Sequence, residues 1–223
     1  MPILYEKPML EIDPKVIWRL NDSEIFTLHR QYLQSVLPML STDDVAWISA
    51  SFSIERLPAK HYWASAGQSI DKLGFILSGL CKLSYQMPDG SEINVQFIAE
   101  QDAVGDFMAV FKDLPTKYNM QTIEPSILMI LDKAHFEACC DKYPDFLRYV
   151  HGQTMALLFR HIERTESFLI ADNTARYLSF IKDNPKLVER LSLADLSSYL
   201  GMTRQSITRI RKNLGLTQKS TDR

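Results

Sequence analysis

Between Ser53 and Asp132 the sequence breaks into short apolar runs separated by the turn signals "SAGQS", "LSGL", "MPDGSE" and "AEQD", at roughly ten-residue intervals. That spacing restricts the segment to strands, because a helix needs an apolar stripe sustained over about ten residues or more. In "MPDGSEINVQFIAE", Asp89 and Gly90 supply the positive φ of a tight hairpin. Ile93, Val95 and Phe97 then alternate with Asn94 and Gln96, as in a half-buried strand. "PSILMILD" is continuously apolar and reads as a buried strand. About seven or eight strands of this kind predict a compact antiparallel barrel or jelly-roll-like β-roll.

The flanks have a helical period. In "LSTDDVAWISASF", Ser41 stands three residues before Asp44, a capping-box spacing. Val45, Ile48 and Phe52 follow at helical intervals, so a helix is expected from about Thr42 to Ser51. Residues 1–30 have no clean period and read as an arm or an extra helix. From Asp145 to Ala171 there is no proline, and Val150, Leu157, Leu158, Ile162, Phe168 and Leu169 fall on two neighbouring stripes of one helix. About 25 residues at ~1.5 Å each make a rod near 38 Å, longer than a small roll requires. One stripe is expected to cover the roll and the other to meet a second copy of the chain. Val150, Leu157, His161 and Phe168 are the expected interface, and His161 and Arg164 keep it from being a pure coiled-coil seam. Asp172 and Asn173 are good caps for "TARYLSFI", and Asn184-Pro185 ends that helix. The expected organisation is α+β: residues 1–30 an arm or helix, 31–144 a roll with flanking helices, 145–171 a dimerisation helix, and 172–223 a terminal helical unit.

Charge is distributed unevenly. From Gly201 to Arg223, the six basic residues Arg204, Arg209, Arg211, Lys212, Lys219 and Arg223 stand against Asp222 alone, a net of +5. The rest of a chain of net charge -2 therefore carries −7. A basic end on an acidic body is the pattern of a chain that meets a polyanion with one part only. The same end has a helix-turn-helix pattern. Ser192 and Asp195 form a second capping-box spacing, and Leu193, Leu196 and Leu200 give an apolar face. Gly201 can end the helix in the left-handed conformation, and Thr203 can cap the next one. Ile207, Ile210 and Leu214 are expected to face inward. Arg204, Gln205, Thr208 and Arg209 on the other face suit base edges of double-stranded DNA, since arginine pairs with guanine and glutamine with adenine. Thr203, Ser206, Arg211, Lys212 and Lys219 are the expected phosphate contacts. The bland alternative is a solvated surface helix. Another is a roll scaffold or signalling protein that binds a small molecule or a protein partner without DNA.

Other classes are disfavoured. No run of 18 apolar residues suits a membrane span. Glu6, Glu11 and Asp13 stand where a secretory signal would be basic and apolar, so a cytoplasmic protein is expected. Cys81, Cys139 and Cys140 have the spacing of neither a disulfide framework nor a zinc site, although a thiol sensor built on Cys139 and Cys140 stays open. A jelly-roll metal enzyme needs two or three converging histidines, whereas His61 is the one histidine in the roll segment. No enzymatic activity and no metal are expected.

From Gln31 to Leu214, the order of parts resembles the Crp/Fnr family of bacterial transcription regulators. The resemblance is carried by "LGFILSGLCKLSYQMPDGSEINVQFIAEQDAVGDF" and "LSLADLSSYLGMTRQSITRIRKNLG". It implies a cyclic-nucleotide-binding-type roll, a long dimer helix and a C-terminal helix-turn-helix that binds DNA as a homodimer, with RNA polymerase as a further candidate partner. The family's recognition pattern of Arg, Glu and Arg resembles Arg204, Gln205 and Arg209, with glutamine where glutamate is usual. Gly105 and Asp106, with Phe107 after them, look like the family's glycine-glutamate pair. Lys117 and Tyr118 fall where an arginine-serine pair holds the cyclic phosphate. These departures count against a cyclic nucleotide cofactor and leave the roll with another small-molecule effector or none. Beyond Leu214, "GLTQKSTDR" is too short for the family's usual β-hairpin wing, which is expected to be reduced or missing.

Overall fold

The computed structural model describes residues 14–215. Three helices, α1 (Pro14–Ile17), α2 (Asp22–Val36) and α3 (Thr42–Ala50), precede the strands β1 (Ser53–Leu57), β2 (Tyr62–Ala64), β3 (Lys72–Ser78), β4 (Cys81–Gln86), β5 (Glu92–Ile98) and β6 (Ala103–Val104). A short helix, α4 (Phe107–Lys112), leads into β7 (Asn119–Thr122) and β8 (Ser126–Asp132). The rest is helical: α5 (Lys133–Lys142), α6 (Pro144–Ile170), α7 (Asn173–Asp183), α8 (Pro185–Val188), α9 (Leu193–Leu200) and α10 (Arg204–Asn213).

The strands form two antiparallel sheets, ordered β1-β8-β3-β6 and β2-β7-β4-β5. Leu57, Ile76, Leu83, Ile98, Met120 and Leu128 fill the space between them, so the expected antiparallel β-roll with flanking helices is the observed architecture. β8 is continuously apolar because it lies between β1 and β3 and is covered on both faces. Gly90 has the positive φ of 83° at the tip of the β4–β5 hairpin, and Asp89 accepts from the Ser91 amide. The alternation read for β5 is misleading at one point: Asn94 is 1% exposed and Ile93 42%. The cause is tertiary, because α9 covers the outer face of β5 at Asn94.

The N-terminal segment holds a helix that its sequence signals only weakly. Asn21 and Glu24 make a complete capping box for α2, with bonds of 3.0 and 2.8 Å. Ile25, His29, Tyr32, Leu33 and Val36 form its buried face. The division expected between residues 30 and 31 therefore falls inside α2, and residues 1–13 lie outside the described part. α3 begins at the expected cap, where the Asp44 amide donates to Ser41 Oγ.

A polar seam joins the terminal helices to the roll. Lys82 sits between Glu92 and Asp195, at 3.0 and 3.1 Å. The Asn94 amide donates to Ser198 Oγ, and Ser198 Oγ donates to the Glu92 carbonyl. Arg190 bonds both Glu100 and Glu124. Burial pushes the Asp195 carboxyl up, but the Ser192 hydroxyl and the Lys82 ammonium outweigh it and hold the group below the usual carboxylate range. Among the described residues no helix is long and apolar enough to cross a membrane.

A carboxyl held low in the folded state contributes stability that is complete above its unfolded pKa and is lost as pH falls through its folded pKa. Asp195→Asn is therefore expected to cost about 1 to 2 kcal/mol at pH 7 in urea unfolding. The difference from wild type should shrink progressively below about pH 4, where the unfolded carboxyl begins to protonate. A gap independent of pH would disprove the role of the ion pair.

Candidate nucleic-acid interface

The last two helices are placed by their caps. The Asp195 amide donates to Ser192 Oγ at 3.0 Å to open α9, and Gly201, at φ 64°, closes it in the left-handed conformation. A side chain at Gly201 would also collide with Phe168, whose ring edge lies 2.6 Å from the position of a Cβ. Thr203 Oγ1 accepts from the Ser206 amide at 3.1 Å and opens α10. Ile207 and Ile210 are buried at 0% and 6% exposure among Tyr177, Phe180, Leu196 and Leu200. Leu214, expected in the same core, is instead 42% exposed, because it lies past the end of α10.

The outward face of α10 carries Arg204, Gln205, Thr208, Arg209 and Lys212, all exposed, with no carboxylate anywhere in the helix. The structure thus brings the expected base-reading residues together on one face of a held helix. The expected phosphate contacts divide. Lys212 is exposed beside them. Arg211 is turned inward, its Nε donating to Tyr177 Oη at 2.7 Å. Thr203 and Ser206 spend their hydroxyls on each other, 2.9 Å apart, at the cap. Thr208 donates its hydroxyl to the Arg204 carbonyl, which leaves its methyl and a lone pair for a partner. Lys219 and the expected reduced wing, residues 216–223, lie outside the described residues.

Of the residues expected at an effector pocket, Asp106 is engaged by neighbouring groups, while the Lys117 side chain is exposed. Gly105 leads into Asp106, which is 6% exposed and caps α4 through the Ala109 amide at 3.0 Å. Its other oxygen accepts from Thr116 Oγ1 at 3.0 Å and from the Lys117 amide at 3.3 Å. Tyr118 packs on Tyr85 with ring centroids 4.8 Å apart, and burial with that neighbour pushes its hydroxyl pKa up. Phe107 points to the opposite side of the sheet, into a cavity beneath α6. Burial pushes the Cys81 thiol up to about 12 and the Cys139 thiol up to about 11, and raises Cys140 as well. Thiols so shifted are protonated near neutrality and poor nucleophiles. Among the described residues, no group of three or more His, Cys, Asp or Glu side chains is arranged to hold a metal ion.

α6 carries two apolar stripes, and of the residues expected to pair two chains Val150 and Leu157 are half-buried against the chain's own elements, whereas His161 and Phe168 are exposed, Phe168 at 39%. Val150 packs on the helical core, and Leu157 and His161 line clefts against the chain's own elements. Phe168 is held between Arg164 and Arg176, at 4.8 and 4.4 Å. The outer face instead exposes Leu158 at 47%, Ile162 at 45% and Leu169 at 77%. Both stripes hold leucines at helical spacing, but the inner one also carries Gln153, Arg160 and Arg164.

Residues 54–143 match the family model of the cyclic nucleotide-binding domain. No curated protein matches the sequence. Among solved structures, CLP of Xanthomonas campestris, described as a c-di-GMP responsive global regulator, has a TM-score of 0.64 at 17% identity, covering 78% of this chain and 92% of its own. FixK2 of Bradyrhizobium japonicum has a TM-score of 0.65 at 13% identity, covering 74% of this chain and 84% of its own. A CooA mutant of Carboxydothermus hydrogenoformans has a TM-score of 0.63 at 15% identity, covering 78% and 82%. At these identities the likeness establishes the fold.

Because Asp106 holds both a helix cap and the β6–β7 connection, Asp106→Ala is expected to destabilise the chain by about 2 to 4 kcal/mol, with Asp106→Asn recovering part of the loss. Unfolding midpoints in urea for the two variants measure this, and a neutral Asp106→Ala would show that the carboxylate is free for a ligand.

Proposed function

We propose that this chain is a homodimeric, sequence-specific DNA-binding transcription regulator whose roll is a sensor domain, with no enzymatic activity. The observation that carries the reading is the carboxylate-free outward face of α10, fixed from behind by Ile207 and Ile210. A helix so held can enter the major groove as the second element of a helix-turn-helix, with α9 crossing behind it. Arg204 and Arg209 offer paired donors for guanine, Gln205 can bond adenine, and the Thr208 methyl can touch thymine. Lys212 supplies a sequence-independent phosphate contact. The fold shared with CLP and FixK2 and the resemblance to the Crp/Fnr family support the same reading.

Dimerisation follows the outer face of α6. His151, Met155, Leu158, Ile162, Thr165 and Leu169 recur at alternating intervals of four and three residues, the spacing of a two-helix seam. Pairing along that seam brings two recognition helices into one molecule. A two-fold site on DNA requires them about 34 Å apart. The seam between α9 and β5 sets where α10 stands relative to α6, so whatever alters the roll or α6 shifts the population of arrangements with the right separation. RNA polymerase is a further partner that this role admits.

DNA fragments selected from a random pool by the full-length protein provide the test, read by fluorescence anisotropy. Arg204→Ala is expected to cost about 1 to 3 kcal/mol on the selected sequence and to relax base preference, whereas Lys212→Ala weakens every sequence alike. Equal losses on selected and random DNA for both variants would overturn the assignment of roles. A Leu158→Asp and Ile162→Asp double variant is expected to sediment as a monomer. Persistence of a dimer would move the interface elsewhere.

A further inference from the structure

A cavity of about 360 Å³ lies outside the roll, between the β1-β8-β3-β6 sheet and the helices α2, α4, α5 and α6. It is a different place from the roll interior that Asp106, Thr116 and Lys117 occupy with one another. Its lining is dominated by aromatic rings, among them Tyr32, Phe75, Phe107, Phe111, Phe136 and Tyr149. The polar atoms near these rings are already engaged. The Tyr32 and Tyr149 hydroxyls bond each other at 2.9 Å, and His29 Nδ1 meets Ser49 Oγ at 3.0 Å. Burial, reinforced by the charge of Arg30, lowers the His29 pKa to about 3, so this wall is neutral near pH 7. At the mouth, Arg160 faces Asp102 at 3.3 Å, which cancels the charge there. Such a surface offers dispersion and ring stacking and no unopposed cation for a phosphate.

The volume falls within the ~300 to 1,000 Å³ of ordinary small-molecule sites. It is about twice that of a ~150 Å³ dry cavity known to take one benzene ring, so a body of two or three rings fits. A second copy of the chain is the other occupant to weigh, and the two faces of α6 argue against it. Cavity-lining Val150, Gln153, Leu157 and Arg160 lie about a third of a turn around the helix from Leu158, Ile162 and Leu169. A partner helix seated on the outer stripe leaves the inner one, and the cavity, uncovered.

We propose that this cavity binds a neutral, apolar, ring-containing small molecule, which enters past the Asp102–Arg160 pair and packs between the sheet and α6. Residues on four successive turns of α6, from Phe146 to Arg160, line the cavity, so a molecule held there biases how that helix sits on the roll. The regulatory consequence rests on the DNA-binding reading, whereas occupancy of the cavity does not.

The test uses the full chain without DNA and the neutral fluorophore N-phenyl-1-naphthylamine. Its emission is expected to rise saturably with one probe per chain. Thr154→Trp and Gln153→Trp, which place an indole at the mouth, are each expected to weaken binding at least tenfold, while Glu166→Ala, exposed on α6 and outside both the cavity lining and the outer stripe, leaves it within twofold. Cyclic AMP is expected not to displace the probe. Each variant's thermal melting curve and near-ultraviolet circular dichroism establish that it is folded, and two blocking positions guard against one misfolding. Absence of saturable binding, wild-type affinity in folded Trp variants, loss of binding in Glu166→Ala, or displacement by cyclic AMP would each overturn the proposal. Because the signal is read without DNA, its failure is separable from a failure of the anisotropy test of DNA binding.

Discussion

The arrangement depends on one helix having two apolar faces with different neighbours. α6 runs for 27 residues, and a helix of that length cannot be satisfied by a small roll alone. Its inner face packs Phe146 into the helical core, roofs the aromatic cavity and, through Arg164 and Phe168, reaches the terminal helices. Its outer face leaves Leu158, Ile162 and Leu169 in solvent. An exposed apolar stripe of this kind marks an interaction surface, and its three-and-four spacing suits a second identical helix.

The terminal unit is joined to the roll mainly by polar contacts, with Phe97 of β5 on Tyr199 at 4.9 Å as an aromatic one, and this bears on how it moves. Its own core is apolar, built from Tyr177, Phe180, Leu196, Leu200, Ile207 and Ile210. Its junction with β5 and the roll relies on Lys82, Asn94, Asp195, Ser198 and Arg190. Partly exposed ion pairs contribute little net stability. Such a junction orients a unit without welding it in place, as a population shift between arrangements requires. Arg164 and Arg176 add to the orientation by donating to the Tyr199 and Leu200 carbonyls at the end of α9.

The roll interior shows how a binding scaffold can be closed from within. The carboxylate of Asp106 is engaged by a cap, a threonine hydroxyl and a backbone amide, and Tyr118 lies tilted against Tyr85, whose hydroxyl donates to its own. The open volume lies instead on the outer side of the sheet, under α6. The cavity proposed for a ligand is therefore adjacent to the long helix.

Local order was legible in the chain itself. The caps at Ser41, Ser192 and Thr203, the turn at Asp89-Gly90, the left-handed Gly201 and the two-sided burial of β8 follow from backbone preferences and apolar period. These act within a few residues and leave a mark in the sequence. The basic face of α10 was legible for the same reason, since a 3.6-residue period sorts Ile207 and Ile210 from Arg204 and Arg209. α2 left two such marks, the Asn21 and Glu24 pair and the spacing of Ile25, His29, Tyr32, Leu33 and Val36, and a division drawn between residues 30 and 31 cut through that period. Tertiary structure alone decided the burial of Asn94, the inward turn of Arg211, the closure of Asp106 and which stripe of α6 faces out. The deciding partner lies beyond the reach of local preference: α9 for Asn94, Tyr177 for Arg211, the sheet beneath α6 for Val150 and Leu157, and, ten and eleven residues on, Thr116 and Lys117 for Asp106. Two stripes on one helix can each bury leucine side chains, and which of them is covered is decided by the surface laid against it, which only the folded chain supplies.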